Sequence, residues 1–108
     1  AVGTRVGASG DLLGRGTGWM LKTGASGGAA SVLSGSVAYL DLWGHVLGGW
    51  LLAKSALAAD GLGDADDAAE QLAVARFYAS QLLPKTTSLA AQATAGADDV
   101  FSLALAQL

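Results

Sequence analysis

The residues best suited to chemistry are Asp41 and His45, the only histidine, which lie four residues apart within an apolar stretch. At helical spacing the carboxylate and the imidazole share one face, where the carboxylate could orient the imidazole as in an acid–base pair. A metal centre would need further ligands, but the sequence has no cysteine and no second histidine. A structural pair at a helix interface therefore explains these two residues better than catalysis or metal binding does.

An acidic run follows further along the chain and includes Glu70, the only glutamate. Asp67 and Glu70 are three residues apart, which is typical of a helix start of the capping-box kind with Asp in place of Ser or Thr. Carboxylates are also stabilised near the positive end of the helix dipole. Their side chains point in several directions from one helix end. We therefore expect no metal ligand, no cofactor-binding residue and no catalytic residue in this chain.

The composition of the chain limits the kinds of partner and compartment that we expect. The chain has 108 residues, which is the size of one domain, and a net charge of -3. Its six Lys and Arg residues are scattered, so we expect no binding to nucleic acid. The absence of cysteine excludes a disulfide framework and fits a reducing compartment, which makes a cytoplasmic location our expectation.

The sequence also argues against membrane insertion and a signal peptide. Residues 42–53 are apolar apart from His45, but this stretch is shorter than the roughly 20 residues that a membrane span needs. The first residues after Ala1 lack a basic segment and a continuous apolar core, so we expect no signal peptide. A domain cut from a longer polypeptide is the simplest interpretation of this N-terminus.

The segment 31–59 is predicted to form the central helix, because it carries two apolar stripes rather than one. A helix that is apolar on more than one side is expected to be buried on more than one side. The first stripe is aliphatic and the second is mostly aromatic: Leu33, Val37, Leu40, Leu47, Leu51 and Leu57, then Tyr39, Trp43, Val46 and Trp50.

Other segments are predicted to pack around this helix. A first helix covers residues 11–22, and residues 1–10 are either its start or a frayed segment. The third arm covers residues 67–95 with a kink at Pro84. A short helix over residues 99–108 follows, with Val100 and Leu103 on one face. The sequence thus predicts an all-α fold over residues 11–108, an antiparallel bundle of three long helices and a short C-terminal helix.

Glycines recur at helical spacing along the first segment, which predicts a close backbone contact there. Each costs roughly 0.5–1 kcal/mol in a helix relative to alanine, so we expect another helix to approach that face. The step from Gly44 to Gly48 in the central helix is the predicted partner of this stripe. Its members are Gly3, Gly7, Gly10, Gly14 and Gly18.

Two longer motifs resemble a known family. They read Tyr39-Leu40-x-Leu42-x-Gly44-x-x-x-Gly48-Gly49-Trp50-Leu51 and Leu72-Ala73-Val74-Ala75-Arg76-Phe77-Tyr78-Ala79, the second continuing to Leu82-Leu83-Pro84. The chain from about Leu12 to Leu108 resembles the extra C-terminal helical domain of a subgroup of acyl-CoA dehydrogenases, the methylmercaptopropionyl-CoA dehydrogenase-like enzymes.

This resemblance implies a role within a larger flavoprotein. Such enzymes use FAD to oxidise the Cα–Cβ bond of an acyl-CoA, while a glutamate takes the α-proton. The glutamate and the flavin contacts belong to catalytic domains upstream of the helical domain, so no catalytic residue is carried over to this chain. The resemblance implies a non-catalytic domain that packs on the catalytic domains or on a second subunit, and that meets acyl-CoA only through the parent enzyme.

The candidate docking surface comprises Trp43, Trp50, Arg76, Phe77 and Tyr78. The two tryptophans could alternatively belong to the internal core. Two other functions stay open from the sequence: an autonomous helical adaptor or self-associating bundle without an enzymatic role, and association with a membrane surface.

Overall fold

A computed structural model describes the backbone of residues 2–107 and the side chains of residues 2–102. Within that part of the chain every regular element is a helix, which confirms the all-α fold class. Leu108 and the side chain of Leu103, both assigned to the last predicted helix, lie outside the described residues. The five helices are α1 (Val2–Ala25), α2 (Ala29–Gly61), α3 (Ala65–Gln81), α4 (Lys85–Ala93) and α5 (Asp98–Gln107).

The helix boundaries follow local backbone chemistry. Gly27, Gly63 and Gly96 have φ values of 86°, 82° and 82°, a conformation that costs glycine little, and each lies in a connection between helices. The side chain of Asp64 accepts hydrogen bonds from the backbone N–H groups of Asp66 and Asp67, both at 3.1 Å. The cap of α3 is therefore Asp64 and not Asp67, because the helix starts two residues earlier than the sequence predicted.

Two other boundaries differ in detail from the expectation. α1 begins at Val2, so residues 2–10 form part of the helix. The third arm is two separate helices, because the chain forms a turn between Gln81 and Lys85, and Pro84 occupies the N-cap of α4. Proline lacks the backbone donor that a continuous helix needs at this position.

The long α2 lies at the centre and contacts α1, α3 and α4. Short connections between successive helices make neighbouring helices pack side by side as a bundle. Its buried residues are small or medium in size, and Leu42 is the largest fully buried side chain among those described. A Cβ atom at Gly35 would overlap the backbone carbonyl oxygen of Ala93, so α2 and α4 meet backbone to backbone. The remaining core is mainly alanine: Ala59, Ala75, Ala79, Ala93 and Ala97, with Val46 and Leu83.

The glycine stripe of α1 does not make the predicted contact. A Cβ atom at Gly3, Gly7, Gly10, Gly14 or Gly18 would have no neighbour within 4 Å. The stripe therefore makes no close contact with another helix. The prediction was wrong because glycine periodicity shows that a face is small, but does not show which neighbour covers it.

A different glycine, Gly16, faces α2, where a Cβ atom would lie 3.6 Å from Leu42 and 3.9 Å from Tyr39. In α2 itself, Gly44 is open, and a Cβ atom at Gly48 would lie 2.6 Å from the Tyr78 hydroxyl of α3. The sequence predicted that the step from Gly44 to Gly48 packs on α1. The structure contradicts this, because Gly44 is open and Gly48 contacts α3.

The aliphatic stripe of α2 is also not buried in this chain. Leu40 keeps 72% of its surface exposed, and the other five members are exposed too. α2 is therefore buried on one side only, and the expectation that its neighbours cover both stripes was wrong. The buried residues Gly35, Leu42, Val46 and Gly49 face the other helices instead.

Two tyrosine hydroxyls connect helices through hydrogen bonds. Tyr78 of α3 donates to the backbone carbonyl oxygen of His45 at 2.7 Å, and Tyr39 of α2 shares a hydrogen bond with the Thr17 hydroxyl of α1. Burial raises the pKa of the Tyr78 phenol, because charge is disfavoured away from water.

Replacing Gly35 with alanine tests the close contact between α2 and α4. We expect Gly35→Ala to lower the free energy of unfolding by about 1–3 kcal/mol, because the new methyl group overlaps a backbone oxygen that cannot rotate away. Gly14→Ala is the matched control, since it has open space and should gain about 0.5–1 kcal/mol from helix propensity. Equal stability of the two variants in urea denaturation would contradict the contact.

Replacing Tyr78 with phenylalanine tests the contact between α3 and α2. We expect Tyr78→Phe to cost about 0.5–1.5 kcal/mol at neutral pH, because the His45 carbonyl oxygen loses its donor. Since the folded pKa is raised, the stability that the neutral phenol contributes is present below about pH 10 and is lost as the pH rises through the folded pKa. Urea titrations across pH 9–11 should therefore show a steeper alkaline loss for the parent chain than for Tyr78→Phe; parallel curves would refute this.

Candidate docking surface

The residues with potential for chemistry are used for local structure. The His45 Nδ1–H group donates to the backbone carbonyl oxygen of Asp41 at 2.8 Å, so the expected pairing is made by the backbone of Asp41. Among residues 2–102, whose side chains are described, no three His, Asp or Glu side chains are grouped as metal ligands would be. The first turn of α3 uses its carboxylates for capping and for the helix dipole.

A groove with a volume of about 580 Å³ lies where the start of α1 meets the second half of α2 and the first half of α3. Asp60 is the one ionisable residue among those that line it. Val2, Leu57, Leu72 and several alanines form most of the wall. Such a wall has the apolar character of a packing surface.

The two tryptophans of the predicted surface lie on α2, seven residues apart. Trp43 and Trp50 each keep 45% of their surface exposed, so neither belongs to the internal core. The Nζ atom of Lys54 lies 4.4 Å from the centre of the Trp50 ring, a cation–π geometry that holds this indole on the outer surface. Large half-exposed aromatic side chains of this kind are typical anchors of protein interfaces.

The other three predicted residues lie on α3 and point in different directions. Arg76 is exposed, and Phe77 keeps 63% of its surface exposed. Tyr78 is turned inward, where its hydroxyl reaches the backbone of α2. Consecutive residues in a helix are about 100° apart, so these three side chains cannot share one face. Tyr78 therefore acts as an anchor between helices, while Arg76 and Phe77 remain candidates for docking.

Most of the aliphatic stripe of α2, which the sequence predicted to be buried, forms a continuous exposed apolar surface in the structure. We call this surface the α2 seam. Its members repeat at intervals of four and three residues, the heptad pattern by which one helix packs alongside another. The seam consists of Leu33, Val37, Leu40, Gly44, Leu47 and Leu51, and all but Gly44 are large side chains exposed to solvent. Trp43 and Trp50 directly precede Gly44 and Leu51 and flank it.

Over the described residues, no helix combines the length and hydropathy required to cross a bilayer. The α2 seam makes one side of α2 apolar. Asp41 lies beside the seam, and Lys54 lies just beyond its C-terminal end.

Comparison with known proteins gives one clear result. A family model described as "Acetyl-CoA dehydrogenase C-terminal like" matches residues 1–104. No curated protein and no solved structure matches the chain significantly. Because the family model covers nearly the whole chain and agrees with the resemblance carried by the two sequence motifs, the chain belongs to the acyl-CoA dehydrogenase C-terminal domain family.

Proposed function

We propose that this chain is a non-catalytic C-terminal domain of an FAD-dependent acyl-CoA dehydrogenase of the methylmercaptopropionyl-CoA dehydrogenase-like subgroup, and that it packs on the catalytic domains or the dimer mate of its parent enzyme. The observation that carries the proposal is the inverted distribution of apolar side chains. The core is built largely from alanine and glycine, whereas leucines, tryptophans and Phe77 lie outside. Apolar patches of this kind mark interaction sites.

By resemblance, the parent enzyme oxidises an acyl-CoA to an enoyl-CoA in the cytoplasm with FAD. The groove that Asp60 lines does not fit the cofactor. A flavin dinucleotide carries two phosphates, which need cations or backbone N–H donors. This groove presents the Asp60 carboxylate and no cationic side chain among its lining residues. We therefore assign FAD and the catalytic base to the domains upstream and derive no reaction step from this chain.

The outer face of α3 is our candidate for contact with the catalytic domains. Phe77 is the most exposed aromatic side chain among those described, and Arg76 next to it supplies a cation with five donors. Phenylalanine and arginine are both enriched at the centres of interfaces. A contact of this kind orders the domain without requiring any of its residues to touch the substrate.

The alternative is an autonomous helical adaptor that associates with itself. The heptad spacing of the α2 seam favours self-association, but it does not conflict with a role in a dehydrogenase. The two functions differ in whether the chain recognises the catalytic domains encoded upstream of it.

Binding to separately expressed catalytic domains tests the proposal. We expect the chain to bind them. We expect Phe77→Ala to raise the dissociation constant at least tenfold, which corresponds to a loss of about 1.4 kcal/mol of binding free energy. Gln92→Ala, at an exposed position of α4 and away from this face, should leave binding unchanged. Calorimetry measures the affinity, and circular dichroism confirms that both variants keep the helical fold.

The chain alone provides the second arm of this test. We expect no flavin absorbance after purification and no acyl-CoA oxidation when FAD and an electron acceptor are supplied. Activity of the isolated chain would overturn the non-catalytic assignment. Failure to bind the catalytic domains at any concentration tested would favour the autonomous adaptor instead.

A further inference from the structure

We propose that the α2 seam is a homodimer interface, in which α2 of one chain packs antiparallel against α2 of a second copy. This rests on the proposed function and deepens it, because it names a second copy of the chain as the partner that covers the α2 seam. The argument starts from exposure. Leu33, Val37 and Leu40 keep 71%, 74% and 72% of their surfaces exposed, and Leu47 and Leu51 keep 45% and 49%.

The spacing of these residues specifies a helix as the occupant. Positions 33, 37, 40, 44, 47 and 51 follow each other at intervals of four, three, four, three and four residues. A repeat of 3.5 residues keeps a seam facing a neighbouring helix along its length, and such a seam buries its residues against a partner helix. A flat or irregular partner surface would not require this regularity. The seam spans 19 residues of α2, or about 27 Å of helix.

The pattern of large and small residues is complementary to itself under a two-fold rotation. An axis passing between His45 and Val46 places Gly44 opposite Leu47 of the second copy, and Leu47 opposite its Gly44. Gly44 has no neighbour within 4 Å of an added Cβ atom, so it forms a notch that is open to receive a leucine. A two-fold interface uses the same surface of both chains, and it requires complementarity of this kind.

The same rotation matches the positions further from the axis. Leu40 lies opposite Leu51 of the second copy, and Val37 lies opposite the apolar stem of Lys54. Charged heads at the ends of such seams remain in water while their methylene stems pack.

The flanking tryptophans extend the match. Trp43 comes beside Trp50 of the second copy, on both sides of the axis, where the two half-exposed indoles can cover each other. Asp41 lies on the opposite flank, and with Lys54 it gives the face one charge of each sign. Two copies therefore meet without an excess of like charge across the seam.

The exposed area fits a dimer of modest size. An aromatic side chain covers about 150–250 Å² when fully buried, so Trp43 and Trp50, each 45% exposed, present roughly 150–200 Å² together. The exposed leucines and Val37 bring the patch to on the order of 600 Å² per chain. This is at the upper limit of the roughly 300–600 Å² apolar patches found on monomers, and it approaches the ~800 Å² per partner of a standard interface.

Analytical ultracentrifugation of the 108-residue chain over a concentration series tests the proposal. We expect a monomer–dimer equilibrium that Gly44→Leu shifts at least tenfold toward monomer, because the notch for Leu47 is filled. Gly44 has open space in the single chain, so Gly44→Leu should keep the fold, as a thermal melt will show. Gly14→Leu, on the equally open face of α1, is the matched control and should leave the dimer intact.

A charge-swap pair tests the antiparallel register. Leu40→Glu alone and Leu51→Lys alone should each give monomers. The double variant should dimerise again, because residue 40 of each copy then faces residue 51 of the other with opposite charge. A parallel dimer would place like charges opposite each other, so failure of the double variant to recover would overturn this arrangement.

The remaining outcomes separate this inference from the proposed function. If the unsubstituted chain is a monomer and Leu40→Glu weakens its binding to the catalytic domains, the α2 seam contacts those domains. That result would refute the homodimer while the dehydrogenase role stands. A dimer that is unaffected by Gly44→Leu would refute the seam as its interface. A monomer that also fails to bind the catalytic domains would refute both proposals.

Discussion

The fold depends on how closely α2 and α4 approach each other. At Gly35 there is no room for a side chain, because the carbonyl oxygen of Ala93 occupies the space that a Cβ atom would need. Helices that meet at this distance can bury only small side chains beside the contact, which explains why alanine dominates the core. Each buried methyl group contributes about 0.8 kcal/mol, so such a core stabilises the bundle less than a leucine-rich core would.

A core of small residues has a consequence for the rest of the surface. Apart from Leu42 and Val46, which are buried, the large aliphatic side chains of α2 from Leu33 to Leu51 line its outer face. Covering exposed apolar surface of this extent with a partner lowers the free energy, because the surface is removed from water. Membership of a family of acyl-CoA dehydrogenase C-terminal domains implies association with a parent enzyme, and we infer that a second copy of the chain covers the α2 seam.

The sequence was sufficient to predict the helices, but not the side of each helix that faces the interior. Helical spacing, the break at Pro84 and the acidic start of α3 have local causes, so they were recognised to within a few residues. Burial has no local cause. The stripe from Leu33 to Leu51 looked like the core because it is the most apolar, and the glycines of α1 looked like a contact because they are the smallest; the stripe is exposed, and the glycines make no close contact with another helix.

The docking residues illustrate the same limit. Trp43 and Trp50 were assigned to a docking surface from residue type, and in the structure they are half exposed. Tyr78 was assigned to the same surface, but its position in the helix turns it toward the carbonyl oxygen of His45. The heptad spacing of the α2 seam was present in the sequence, and its meaning became clear once the structure showed which helices already have neighbours.

The central claim is that α2 buries its small face and exposes its large one. Methyl NMR with a soluble gadolinium chelate measures this directly in a monomeric form of the chain, because the chelate broadens signals that it can approach. The account predicts strong broadening of the Leu40 methyl signals and little effect on those of Leu42, which is 0% exposed. Protected Leu40 methyl groups together with broadened Leu42 methyl groups would show that the helix is rotated and would contradict the account.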